Sequence, residues 1–274
     1  MNSKISSVYF SFMAFLSFSV QAQITNAYDN AGNYSSGQWG STSSSATFAN
    51  RGFGFGTWTI TDSAGGNSGE NGSFLGGSAQ ISQAQNINSG NGDAWGLYAN
   101  SSQTAAAIAP FSEGNLSVFQ TFSVQMQNND IQTGGTVGFG LQNSSGQNVF
   151  EFYFVGGGSF YDINVWQNAS TGNQIASTVG YTSGPMTLDF TLEPGDGWLF
   201  SIYEGNTLKQ TLTSVADGDL WSSVSQARLF DFNSGSGSQN NVYFNNLEIV
   251  PEPSALAVFG LSGLMMSFVV RRRR

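Results

Sequence analysis

Between Leu116 and Trp166 the chain alternates apolar and polar positions with a period of two. Val137, Phe139 and Leu141 are separated by Gly138 and Gly140, and Phe150, Phe152 and Phe154 by Glu151 and Tyr153. Such alternation sends successive side chains to opposite faces of a strand. Leu116, Val118, Phe122, Val124 and Met126 mark a strand before this block, and Gly156 to Gly158 turns the chain into a hairpin partner, Phe160 to Trp166. Met186, Leu188, Phe190 and Leu192 repeat the pattern ahead of a Pro194-Gly195-Asp196-Gly197 turn and a strand from Trp198 to Tyr203. Leu208 to Leu212, Ala227 to Phe232 and Val242 to Val250 complete the later set. Upstream, Arg51 to Thr61 alternates so that Phe53 and Phe55 share a face, Ala64 to Gly72 is a turn-rich loop, and Phe74 to Ser82 and Ala94 to Ala99 are shorter strands. Residues 23–50 read as a polar, Gly/Ser-rich lead-in with Tyr28, Tyr34 and Trp39 as isolated anchors.

About a dozen short strands joined by turns, with no helical pattern among them, predict an all-β domain over 51–250. The expected architecture is a two-sheet antiparallel β-sandwich of the jelly-roll type. An immunoglobulin-like sandwich is normally shorter, and a parallel β-helix would show a repeat that this chain lacks.

The two ends differ from this body. Lys4 precedes an apolar stretch from Val8 to Val20, and Val20-Gln21-Ala22 supplies the small or branched residues of a signal-peptidase site, so residues 1–22 read as a signal helix cut between Ala22 and Gln23. No cysteine follows, which excludes a lipoprotein. At the other end, Pro251 and Pro253 enforce an extended, accessible peptide. Residues 255–270 carry no charge, and as a helix they would reach only about 24 Å at 1.5 Å per residue. That is short of the roughly 30 Å hydrocarbon core, a mismatch that local thinning can absorb. Arg271, Arg272, Arg273 and Arg274 then hold the far side in the cytoplasm. Gly260, Gly263 and Ser267 share one face of that transmembrane helix, as small residues commonly do.

Pro251, Glu252 and Pro253, followed by an apolar segment and an arginine cluster, resemble the PEP-CTERM sorting signal of Gram-negative bacteria. That resemblance covers residues 251–274. It implies recognition by an exosortase, an integral-membrane cysteine protease-transpeptidase, with release or transfer of the body to the cell surface or exopolysaccharide matrix. No LPxTG motif of the Gram-positive sortase type is present. Within the body, "TFSVQMQ … GFGLQNSSGQNVFEFYF" resembles the central strands of concanavalin A-like or laminin-G-like sandwiches.

Charge sharpens the picture. Between Ala22 and Pro251 only Arg51, Lys209 and Arg228 oppose sixteen acids, a net charge of −13. Such a surface repels phosphate backbones, so no nucleic-acid partner is expected. With neither histidine nor cysteine, Ser-His-Asp and Cys-His nucleophilic sites are excluded, and only carboxylates remain among the usual zinc ligands. The 23 Phe, 9 Tyr and 6 Trp nonetheless supply ample surface for a packed core.

Candidate chemistry is sparse. Glycan cleavage needs two carboxylates about 5–10 Å apart. Asp189 and Glu193 share a strand face but stand roughly 13 Å apart. Glu151 and Asp162, on adjacent strands, are the one pair to test, although outward-facing acids are the ordinary reading of such positions. The Glu-x-Asp-x-x-Glu strand of concanavalin-like glycosidases is replaced here by Glu151-Phe-Tyr-Phe. Asp217-Gly-Asp219 and the Asn88–Asp93 loop could offer oxygens to calcium or could simply be turns. Trp95, Tyr98, Trp166, Trp198 and Trp221 could form an exposed sugar-stacking platform or belong to the core. Sequons at Asn33, Asn71, Asn100, Asn115, Asn143 and Asn168 follow from the Asn/Ser-rich composition.

The expectation is therefore a non-enzymatic exported surface or matrix protein with adhesion or glycan association, no required cofactor, and signal peptidase, exosortase, membrane and exopolysaccharide as partners. The alternatives are a secreted glycan-active hydrolase or lyase using Glu151, and a purely structural matrix component.

Overall fold

The computed structural model describes residues 27–41, 46–63, 70–78, 86–100, 102–214 and 220–251. Expectations about the signal-peptidase site, Glu252, Pro253, the 255–270 segment, the arginine cluster and Asp217-Gly-Asp219 lie outside them.

The described chain forms two antiparallel sheets packed face to face. The front sheet runs in the order β14 (Thr207–Thr213), β13 (Gly197–Glu204), β12 (Met186–Glu193), β7 (Gln120–Asn128), β16 (Val242–Pro251), β5 (Ala94–Ala99) and β4 (Asn71–Gly76), and β1 (Ala27–Asp29) also pairs with β16. The back sheet runs β11 (Gly172–Gly180), β10 (Phe160–Trp166), β9 (Asn148–Val155), β8 (Thr136–Gln142), β15 (Gln226–Phe232), β6 (Thr104–Pro110), β3 (Trp58–Asp62) and β2 (Ala46–Phe48). The described helices are short 3-10 turns, one of them over Pro194–Asp196, where Gly195 and Asp196 both take positive φ.

Alternation decides which side chains fill the space between the sheets. Phe139, Phe150, Phe152, Phe190 and Phe200 are fully buried, with Phe150 4.9 Å from both Phe190 and Phe200 between ring centres. A second aromatic knot joins Trp58 and Trp95 at 5.1 Å, with Trp39 and Tyr34 packed on it.

Several expectations are corrected. Residues 27–41 and 46–50 are not a loose lead-in, because Tyr34 and Trp39 are buried in that knot and β1 and β2 extend the two sheets. The anchor is a buried carboxylate: Asp29 accepts hydrogen bonds from the Tyr34 hydroxyl at 2.6 Å, Asn50 Nδ2 at 2.7 Å and Trp58 Nε1 at 2.9 Å. Phe53 and Phe55 point oppositely, since Gly54 at φ +78° breaks the strand between them; Phe53 is 68% exposed and Phe55 is buried. Leu116 and Val118 precede β7 rather than belonging to it, and β4 starts and ends earlier than the expected Phe74 to Ser82. Strands β1, β2, β6 and β11 lie where the hydrophobic pattern predicts none.

Candidate functional site

β11 and β14 are the edge strands of their sheets and lie on the same side of the sandwich. Gln210 Oε1 ties them by accepting from Thr178 N at 2.8 Å. Elsewhere these edges cannot close. The inward positions of β11 include Asn173, opposite Val165 of β10, and Ser177, and β14 turns Gln210 inward opposite Ile202 of β13, so polar side chains stand where the neighbouring strands supply aliphatic ones. A groove of about 600 Å³ opens there, within the range typical of small-molecule sites. Val165, Ile175, Leu212 and Trp198 make it apolar, and Gln167, Asn173, Gln210, Thr211 and Thr213 add amides and hydroxyls. Trp221 completes the lining, held by its Nε1 donating to Asn148 O at 3.0 Å. No lining residue is charged. Trp198, packed 5.5 Å from Phe150, is only 2% exposed, and its Nε1 finds no acceptor among the described residues. An unpaired buried N–H is costly, so a ligand oxygen reaching it would relieve that cost.

The tryptophans do not form one platform. Trp95 is fully buried in the aromatic knot and cannot meet a glycan. Tyr98 is half-buried on the front sheet, paired with Gly72 and 6.2 Å from Phe74 between ring centres. Trp166 faces outward from the back sheet. Only Trp198 and Trp221 come together.

Glu151 lies on the outer face of the back sheet, opposite Gly140 on one side and Asn164 on the other. Arg228 is the next residue in that row, also opposite Gly140. Because glycine puts nothing between them, the guanidinium reaches across β8 to Glu151 Oε1 at 3.5 Å. Asn148 Nδ2 donates to the same oxygen at 2.9 Å, and Trp166 Nε1 donates to Oε2 at 3.0 Å. Asn148 in turn accepts from Gln142, which accepts from Gln226, extending a polar ladder across the sheet. Burial pulls the Arg228 pKa down, and Glu151 opposes that shift. Asp162 is opposite Tyr153, one step diagonal from Glu151. Burial, then Asp162, then Glu151 push the Tyr153 hydroxyl up to about 12. Both Glu151 oxygens are thus engaged by donors, as in a carboxylate held for structure. Asp189, the other acid weighed for cleavage, accepts from Ser123 at 2.6 Å on the front sheet's outer face.

In the Asn88–Asp93 loop the two asparagine side-chain oxygens are engaged by donors. Asn88 Oδ1 accepts from Ser78 N and Oγ, while Asn91 Oδ1 accepts from Ser89 Oγ and Asp93 N.

Sequence reading missed the groove's polar lining. The available signal was polar residues at inward positions of edge strands, and it becomes visible only once β11 is recognised as a strand.

The chain matches no protein-family model, and comparison with curated proteins gives no match. Among solved structures it is similar to an endo-β-1,4-glucuronan lyase from the fungus Trichoderma reesei, with 10% identity over 65% of this chain and 87% of that one and a TM-score of 0.43. A galectin of Caenorhabditis elegans gives 10% identity, 52% and 88% coverage and a TM-score of 0.34. The receptor-binding domain of botulinum neurotoxin mosaic serotype C/D gives 10% identity, 78% coverage and a TM-score of 0.44, with 47% of that chain spanned. Likeness at this level assigns neither activity nor ligand to this chain.

Proposed function

We propose that this chain is an exported, exosortase-processed surface or matrix protein whose sandwich binds neutral saccharides in the groove between β11 and β14. The observation that carries this reading is an uncharged lining of two indoles, aliphatic side chains, amides and hydroxyls. Sugar rings present apolar C–H faces and hydroxyl edges, and such a lining complements both. Support for export and sorting is the pattern at the two ends of the sequence. The successive strands β5, β6, β7 and β8 alternate between sheets, as do β14, β15 and β16, which supports a jelly-roll reading of the sandwich. A binding role is preferred to a catalytic one because Arg228, Asn148 and Trp166 occupy both Glu151 oxygens.

The test is calorimetric titration of the full chain in mild detergent with neutral oligosaccharides. Trp221→Ala is expected to weaken binding about tenfold, or roughly 1.4 kcal/mol, while Glu151→Gln leaves affinity unchanged. Equal affinity in Trp221→Ala, or release of reducing ends that disappears in Glu151→Gln, overturns the reading.

A further inference from the structure

Among the described residues, the nine exposed large apolar side chains divide between the two ends of the sandwich. Phe160, Tyr181, Leu208 and Phe232 lie towards the end where β13 turns into β14. Tyr28, Phe53, Val118, Phe119 and Val250 lie towards the end where β16 finishes. There, Val250 and Pro251 pair with Thr121 and Gln120. Val118 and Phe119 immediately precede Gln120, so they stand beside the departing chain. They are 42% and 45% exposed, and Val250 is 39% exposed. Phe119 also holds φ +66°, with its N–H donating to Leu192 O at 2.7 Å. A bulky residue in the left-handed region is strained, and the ring it carries stands in solvent. Tyr28 and Phe53 continue the apolar surface, since Tyr28 is opposite Glu248 and bridges to Phe53.

The distance available to the following segment is short. Only Glu252, Pro253 and Ser254 separate Pro251 from the uncharged run beginning at Ala255. Four residue steps span at most about 14 Å even when fully extended. β16 is an internal strand, flanked by β7 on one side and by β5 and β1 on the other, so its end cannot swing free of the fold.

We propose that the end of the sandwich carrying Val118, Phe119 and Val250 rests on the lipid surface that residues 255–270 enter, seating the folded domain against the membrane before its tail is removed. This rests on the reading of 255–270 as a membrane span. The contact is apolar rather than electrostatic, because the body is strongly acidic and Glu248 lies beside Val250.

The chain has no cysteine, so single cysteines can carry an environment-sensitive fluorophore without a background. The full chain, as Phe119→Cys and separately as Leu208→Cys, is reconstituted into phosphatidylcholine vesicles. Leu208 is a stringent control because it is as apolar and as exposed, at the opposite end. The probe at 119 is expected to shift to shorter wavelength, to be quenched by brominated lipid and to stay so in high salt, while the probe at 208 reports water. Val118→Cys, on unstrained backbone, gives the same readout if the change at 119 disturbs folding. A chain that does not float with the vesicles overturns both the span and the seating. A chain that floats with probes at 118, 119 and 208 alike in water overturns the seating and leaves the span standing.

Discussion

Buried acids set the pH behaviour of this protein one residue at a time. Asp231 is fully buried on the inner face of β15, and burial raises its carboxyl well above the usual range against the help of Ser234. Burial likewise raises Asp29, Asp62 and Asp189. A raised carboxyl pKa means that the folded state holds protons that the unfolded chain has already released. Its stabilisation is complete below the unfolded value of about 3.9 and is lost as pH rises through the folded value. Glu204 runs the other way, held down first by Lys209 and then by Thr182, but an exposed pair of this kind contributes little. Melting temperature is therefore expected to fall as pH is raised from mildly acidic towards neutral. Asp231→Asn should flatten that slope and raise the neutral-pH melting temperature by a few degrees, since about 1 kcal/mol moves Tm by roughly 2–4 °C in a domain of this size. Thermal scans of both proteins across this pH range decide it, and an unchanged slope refutes the role given to Asp231.

At the scale of the element, β8 shows why glycine alternates with large apolar residues. Val137, Phe139 and Leu141 face the core, while Gly138 and Gly140 leave the outer row open to Tyr153 and Glu151. A Cβ at Gly138 would stand 2.2 Å from Phe152 O and 2.8 Å from Tyr153 Cα. Gly138→Ala is expected to cost about 1–3 kcal/mol through this overpacking, read as a lower denaturant midpoint with an unchanged slope. The alternation itself was legible in the sequence, as were β9, β12 and β13, whose large inward side chains mark the period. β6 was not, because Ala105, Ala107 and Ala109 face inward as small residues that announce no strand. β11 escaped for a related reason: Ile175 and Val179 are its only large apolar inward positions. The outward placement of Glu151 could be read from β9, but its partner Arg228 lies far along the chain and meets it only through register across Gly140. The groove was illegible for the same reason, since its wall joins Val165 to Trp221 and depends on inward side chains too polar or too short to fill the gap.

For the whole molecule, the domain begins earlier than its hydrophobic pattern suggested. The polar segment from Ala27 to Asn50 carries few strand signals, yet it supplies Asp29, Tyr34 and Trp39 to the interior. Removing it takes away both acceptors of the buried Trp58 Nε1, Asp29 Oδ2 and the Tyr34 hydroxyl, and one of the two donors to Asn245 Oδ1, Ala31 N. Each buried group left unpaired costs about 1–3 kcal/mol, and the lost burial of an aromatic ring about 3–5 kcal/mol more, which together rival the stability of a typical domain. A chain starting at residue 51 is expected to lose its cooperative thermal transition in calorimetry; a transition matching the full chain would show that 51–251 is self-sufficient.

The internal position of β16 also fixes when folding can finish. It is the last of the described strands to be made, yet it joins β7 to β5 and β1, and Asn245 Nδ2 donates to Ile87 O across 158 residues of sequence. Until it arrives, the front sheet is three separate pieces, β14-β13-β12-β7, β5-β4 and β1, each with an unsatisfied edge. Contacts so distant in sequence favour slow assembly, on the order of milliseconds to seconds. A nascent chain therefore cannot complete this sheet until residue 251 has emerged, so the order of synthesis sets the earliest moment at which the core can close.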